Sequence, residues 1–256
     1  MFSLVLIRLL LAPMLVAIAT SLGYRFGPRI TGWVAGFPVV AGPILLLFAV
    51  EQGPPFAARA AESSLLGAVS LTAFCLMYTH VARHYSWPIS LVSGWICFGG
   101  TTYLLRNFPS AWWLNAGAAL VTIRLGTLLL PKPHSPLLPR TIRQWDIPSR
   151  MLATAILVVG LTSAARGIGS RISGLLTPFP IVTSVIAVFA HRDQGYPGAV
   201  RTLQGLLASM SAFVGFCAVL TLTLLRWGIG WAFTAAVLAN VLILCITLLR
   251  LKRDGA

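Results

Sequence analysis

The chain has 256 residues, of which 57% are hydrophobic and only 9% charged, and its mean hydropathy is +0.87. Too little polar surface remains to face water, so a sizeable soluble domain is excluded, and apolar runs near the ~20 residues that cross a bilayer recur along the whole length. The net charge of +14 comes from 19 Lys and Arg scattered between apolar segments against five acids, which is how topology-setting charge is distributed and not how a nucleic-acid face is built.

Nine transmembrane helices are predicted, at 6–24, 30–50, 60–82, 87–105, 111–130, 150–168, 172–190, 201–225 and 229–249. The first lacks the early positive charge of a signal peptide, so it is read as a retained helix. Turn signals separate the runs: "FGPR", "EQGPP", "HYSWP", "RNFPS", "PKPHSP", "DQGYPG" and "RWGIG". Trp87, Trp112, Trp113, Trp145 and Trp227 fall near span ends, where amphipathic rings favour the interface. The four cysteines, Cys75, Cys97, Cys217 and Cys245, lie inside apolar runs and read as packing residues rather than disulfides or metal ligands.

Charge assigns the sides. With the N-terminus outside, 12 basic residues fall on the cytoplasmic side, 6 on the outer side, and Arg124 lies within a span. The bias predicts a cytoplasmic C-terminus, with the basic 131–150 loop, including Arg150, also inside.

Shifted by 142 residues, the chain matches itself at 23 positions over 8–79 without a gap. Apolar composition inflates matches among Leu, Val and Ala. It does not produce Arg8 on Arg150, Arg29 on Arg171, Phe37-Pro38 on Phe179-Pro180, Gln52-Gly53 on Gln194-Gly195, Arg59 on Arg201 and Cys75 on Cys217 in one register. The offset covers five spans, an odd number, so the second copy enters the membrane from the opposite side. The expected fold is an all-α polytopic membrane protein with a 4+1+4 inverted-topology repeat. Residues 1–110 form the first four-helix unit, 111–131 the linking helix, 132–148 the basic cytoplasmic loop, and 149–256 the second unit. Inverted repeats with interrupted helices are the usual build of secondary transporters.

Each copy carries a Phe-Pro inside its second span, with Pro43 and Pro178 read as a further break in each half. Proline removes a backbone donor and displaces the carbonyl four residues earlier, here Val34 and Leu176. In hydrocarbon such a group must find a partner or line a polar cavity. A central substrate site is therefore expected at Phe37, Pro38, Phe179 and Pro180, with Thr31, Ser173 and Thr177 as hydroxyls. Arg29 and Arg171 precede the broken helices on opposite faces and would draw in an anion. Snorkelling arginines at an interface explain the same positions. Arg59 and Arg201 precede the next helices, and Glu62 with its counterpart Gln204 is the best candidate for gating or coupling. Gly32 and Gly36 form a G-x-x-x-G that reads as a helix contact. No acid is placed near mid-bilayer, which favours a uniporter, channel or flippase over a proton pump. His80 and His84 stand at i, i+4, too few ligands for a metal. No G-x-S-x-G, H-E-x-x-H or Walker A loop is present, so no enzyme and no cofactor is expected.

The "GLLTPFPIV" type of second helix resembles that of the small GlpM-type four-span inner-membrane proteins of bacteria. The likeness rests on Gly174, Leu175, Leu176, Phe179 and Pro180, and on Gly32, Phe37 and Pro38 in the first copy, whereas Trp33, Val34 and Gly36 depart from the leucine-rich pattern. The resemblance implies a bacterial inner-membrane location and a tie to envelope polysaccharide or lipid traffic. The expected function is a transporter or flippase-like carrier of a small amphiphilic or anionic solute or lipid-linked group. The alternative is a non-catalytic accessory subunit of an envelope assembly complex. Expected partners are the bilayer, the substrate, and a second copy or an envelope protein; no nucleic acid is expected.

Overall fold

The computed structural model describes residues 2–38, 41–109, 111–132, 145–164 and 170–253, with side chains from residue 12 onward except at 159–164, 170–172 and 250–253. Every regular element among them is a helix: α1 (Phe2–Phe26), α2 (Pro28–Ala35), α3 (Ala41–Glu51), α4 (Pro54–Val81), α5 (Trp87–Leu105), α6 (Trp112–Leu129), α7 (Asp146–Ala164), α8 (Ser170–Leu176) and α9 (Ile181–Arg253). Among the described residues three stretches are long and apolar enough to cross a membrane: Pro54–Val81, Trp87–Leu105 and Ser173–Leu249. The chain is a helical membrane protein. All five tryptophans expected at the interface are exposed, as are broad apolar faces of α5, α6 and the end of α9.

Glycine-proline pairs set where helices start. Gly27 (φ 86°) and Gly53 (φ 88°) sit in the left-handed region open to glycine, and Pro28 and Pro54 follow at the first helical position. Proline costs nothing there because that N–H has no helical partner. This moves the start of α4 to Pro54, six residues before the predicted 60, since "GPP" begins a helix rather than a loop. In α9, Gly195 (φ 68°) and Gly228 (φ 72°) are non-helical, so the long element is three helical parts joined at two kinks. "DQGYPG" and "RWGIG" thus hold the two glycines at which the helix is interrupted.

The two halves interlock. α2 packs on α9, α8 packs on α4, and α1 lies against α7. Glycines make these approaches possible: a β-carbon on Gly32 would stand 1.6 Å from the Thr202 carbonyl oxygen, and one on Gly174 would stand 2.3 Å from that of Ala60. A β-carbon on Gly67 would stand 2.6 Å from the Leu175 carbonyl oxygen in the same way, whereas Gly36 faces the Ser209 side chain. Such backbone proximity is how helices gain dispersion contact in lipid, where burial alone drives little. One core gathers Phe74, Tyr78, Phe98, Leu203, Leu207 and Phe216; a smaller one joins Val16 of α1, Val158 of α7 and Ile186 of α9. Cys75 and Cys217 are buried in the larger core, Cys97 is half-buried, Cys245 exposed, and all four are free thiols.

Arg150 departs from its reading as a loop charge. It is 1% exposed: its Nε donates to Asp146 Oδ1 at 2.9 Å and its Nη2 to Asp193 Oδ2 at 2.7 Å. Its guanidinium lies 4.6 Å from the Phe189 ring centre, and Tyr24 donates its hydroxyl to Asp146. This buried group ties α1, α7 and α9 together.

Candidate functional site

The two breaks have the same hydrogen bonds, 142 residues apart. Phe37 N–H donates to Val34 C=O at 3.1 Å, and Phe179 N–H donates to Leu176 C=O at 2.9 Å. The carbonyls expected to be freed by the prolines are thus taken by tighter, three-residue turns that close α2 and α8. Beyond each break, the Pro38 carbonyl accepts from Gly42 N–H at 2.7 Å and the Pro180 carbonyl from Ser184 N–H at 2.8 Å, starting the next helix. Pro43 sits in the first turn of α3 and makes no second break, because the donor it lacks would be unpaired there anyway. Pro178 lies within the break itself.

The breaks meet. Phe37, Pro38, Thr177, Pro178, Phe179 and Thr183 line one cavity of about 60 Å³. That is room for roughly two waters, at ~30 Å³ each in the liquid, and far below the ~300 Å³ of a small drug-binding site. In this conformation the breaks enclose too little space for an organic solute. The Phe179 ring meets Phe98 edge-on at 5.3 Å and lies 6.2 Å from Trp95, whose Nε1 donates to Ser184 Oγ at 2.9 Å. The Thr177 hydroxyl hydrogen is committed to the Ser173 carbonyl (2.8 Å), so toward the cavity its oxygen acts as an acceptor. Pro180 is buried beside the cavity but is not on its wall.

A second cavity, of about 720 Å³, lies between α2, α6 and α9. Arg29, Arg124, Lys132 and Arg201 line it with Gln204, Ser211, Thr127 and Thr247, and among its described lining residues none is acidic. Arg29, the second residue of α2, is half-buried, and its Nε is buried with no hydrogen-bond partner among the described residues. Gln204 Nε2 donates to the Pro131 carbonyl at 3.1 Å.

Of the residues singled out in the sequence, the structure gathers Phe37, Pro38, Thr177 and Phe179 at the small cavity and Arg29, Arg201 and Gln204 at the large one. Thr31, Ser173, Arg59 and Glu62 are not among the described lining of either. Thr31 donates its hydroxyl to the Gly27 carbonyl at 3.5 Å, and Ser173 accepts from Thr177 through its main chain. Arg59 is exposed and lies inside α4 because that helix starts early; Glu62, half-buried, lies inside it as expected. Arg201 likewise lies within α9, past the Gly195 kink. Arg171 is the second residue of α8, and its side chain lies outside the described residues. His80 is exposed near the end of α4, its Nδ1 2.8 Å from the Leu76 carbonyl oxygen.

Four residues passed over in the sequence stand out. Arg124 and Lys132 line the large cavity, and Arg150 is the buried charge already described. Asn240 is fully buried in the last part of α9 with both Nδ2 and Oδ1 unpartnered among the described residues. The 142 shift sets it opposite Phe98, the residue that meets Phe179. Its signal was available: an amide alone in "AAVLANVLILC". Compared with known proteins, this chain matches no family model, no curated protein and no solved structure.

Proposed function

We propose that the chain is a membrane carrier of the inverted-repeat type, moving a small amphiphilic or anionic solute or lipid-linked group. The observation that supports it is the meeting of Phe37-Pro38 and Phe179 around one cavity, reached from two helix breaks of matching hydrogen-bond pattern. On this reading there are nine crossings. α2 with α3, and α8 with the first part of α9, each make one broken span; Gly195 and Gly228 divide α9 into three. The paired approaches, Gly32 to Thr202 and Gly174 to Ala60, are what an exchange of the two halves by a two-fold axis would generate. Two such halves can trade conformations, giving inward- and outward-open states of similar energy. The small cavity at the meeting of the breaks is then the place where a substrate is held as the halves exchange. The N-terminus lies outside and the C-terminus in the cytoplasm, and the resemblance to GlpM-type proteins favours a bacterial inner membrane.

The test is flux in liposomes loaded with small organic anions or lipid-linked anions, using the wild type and the Arg29→Ala and Arg171→Ala variants. Each change should weaken uptake mainly from its own side. No flux with any substrate, joined to co-purification of an envelope synthase or export protein, would replace the carrier by an accessory subunit.

A further inference from the structure

The large cavity between α2, α6 and α9 goes beyond the transport reading and does not depend on it. Four cationic side chains, Arg29, Arg124, Lys132 and Arg201, converge on it from three elements and the segment after α6. Arg29, Arg124 and Lys132, gathered around one space, repel one another unless an anion sits among them. The buried Arg150, by contrast, is met by two aspartates.

Arg124 carries the inference. It lies five residues before the last residue of α6, roughly 7–8 Å below the helix end at 1.5 Å per residue. It is exposed, and its neighbours on α6, Leu120, Val121, Leu125 and Leu128, are exposed too. A cation on such a lipid-facing stretch is costly and calls for a partner or a route to water. Its guanidinium makes no ion pair with a described residue. Arg29 adds a second, independent sign: its Nε is buried without a hydrogen-bond partner beside the same space. Leu120 and Leu128, 46% and 61% exposed, are part of the cavity wall, so the wall runs from charged groups directly onto apolar surface. A free anion has no use for that apolar wall, whereas a lipid does: phosphate among the arginines, glycerol at Thr127 and Gln204, and acyl chain along the leucines.

We propose that this cavity binds an anionic phospholipid, its phosphate held by the guanidinium groups of Arg29 and Arg124 with Lys132 and Arg201 at the rim. Guanidinium is the suited group because its forked donors match two phosphate oxygens at once.

The full-length protein in nanodiscs of phosphatidylcholine would be titrated with phosphatidylglycerol, and retained lipid counted by native mass spectrometry after release into detergent. Expected is one phosphatidylglycerol kept per chain in preference to phosphatidylcholine, with retention falling roughly tenfold in Arg124→Gln and again in Arg29→Gln, the scale of one charge-assisted hydrogen bond each. Arg124→Lys should recover part of the loss, and Arg226→Gln, at an exposed arginine that is not in the cavity's described lining, should leave retention unchanged. Thermal unfolding of each variant without lipid separates loss of binding from loss of fold, because Arg124 is exposed and its removal leaves the core intact. Equal retention of zwitterionic lipid, or retention unaltered in a folded Arg124→Gln/Arg29→Gln variant, would overturn the proposal. So would displacement of the lipid by millimolar inorganic phosphate or glycerol 3-phosphate, which would make the ligand a soluble phosphate. Absence of solute flux would leave this result untouched, so the two readings fail separately.

Discussion

The carbonyl oxygen of Thr202 occupies the place a side chain on Gly32 would need, 1.6 Å from where its first carbon would stand. The obstacle is backbone within a helix, so it cannot swing aside as a flexible side chain would. Alanine would gain about 1 kcal/mol of helix propensity over glycine, but pushing α2 off α9 costs about 1–3 kcal/mol or more. Gly32→Ala is therefore expected to lower the unfolding temperature in detergent, and Gly174→Ala, facing the Ala60 carbonyl, to do the same. Gly99→Ala in α5 has open space around it and is expected to be neutral or stabilising. Three indistinguishable melting curves would reject this account of the packing.

The Arg150 cluster makes a second, sharper expectation. Arg150→Met leaves Asp146 and Asp193 facing each other with their partner gone, and removing one member of a buried ion pair costs about 3–5 kcal/mol. Adding Asp146→Asn and Asp193→Asn should recover much of that loss, because the uncompensated charge goes with the carboxylates. Chemical unfolding of the single and triple variants measures it. Equal stability of the two would mean that the carboxylates carry no burden once the arginine is lost.

Asn240 separates stability from function. An unpaired buried amide costs about 1–3 kcal/mol, so Asn240→Leu should raise the unfolding temperature, less whatever the larger side chain costs in packing. If the carrier uses this amide when the cavity opens, the same variant loses flux. A stabilised protein with full flux would show that this amide plays no part in transport.

Topology is read directly by a C-terminal reporter. A phosphatase fusion at the C-terminus should be silent and a fluorescent fusion bright, as a cytoplasmic end requires; the reverse would undo the orientation inferred from charge.

The helix breaks were legible because proline leaves a mark no packing can erase, and the matching registers of Phe37-Pro38 and Phe179-Pro180 pointed to one place. The fate of the freed carbonyls was not legible, since a three-residue turn and an open carbonyl read identically in sequence; only the N–H of Phe37 and Phe179 decides between them. Arg59 was misplaced before its helix by the same rule that located the breaks: "GPP" halts a helix in its interior but opens one at its first turn. Arg150 looked like topology charge although Asp146 stands at i−4 within helical reach; only its second partner, Asp193, 43 residues away, lay beyond what a local charge pattern shows.

The interlocking of the halves has a consequence for synthesis. The surface that α2 rests against is made 170 residues after Gly32. At ~5–20 residues per second of translation, that surface emerges roughly 10–30 s after Gly32 does. For that interval α2, with Arg29 near its start and its narrow glycine seam, is already made while its neighbour does not yet exist. A ribosome stalled after α5 would leave a nascent chain that cannot finish folding, and an insertase or surrounding lipid must shelter the seam until the last third of the protein arrives.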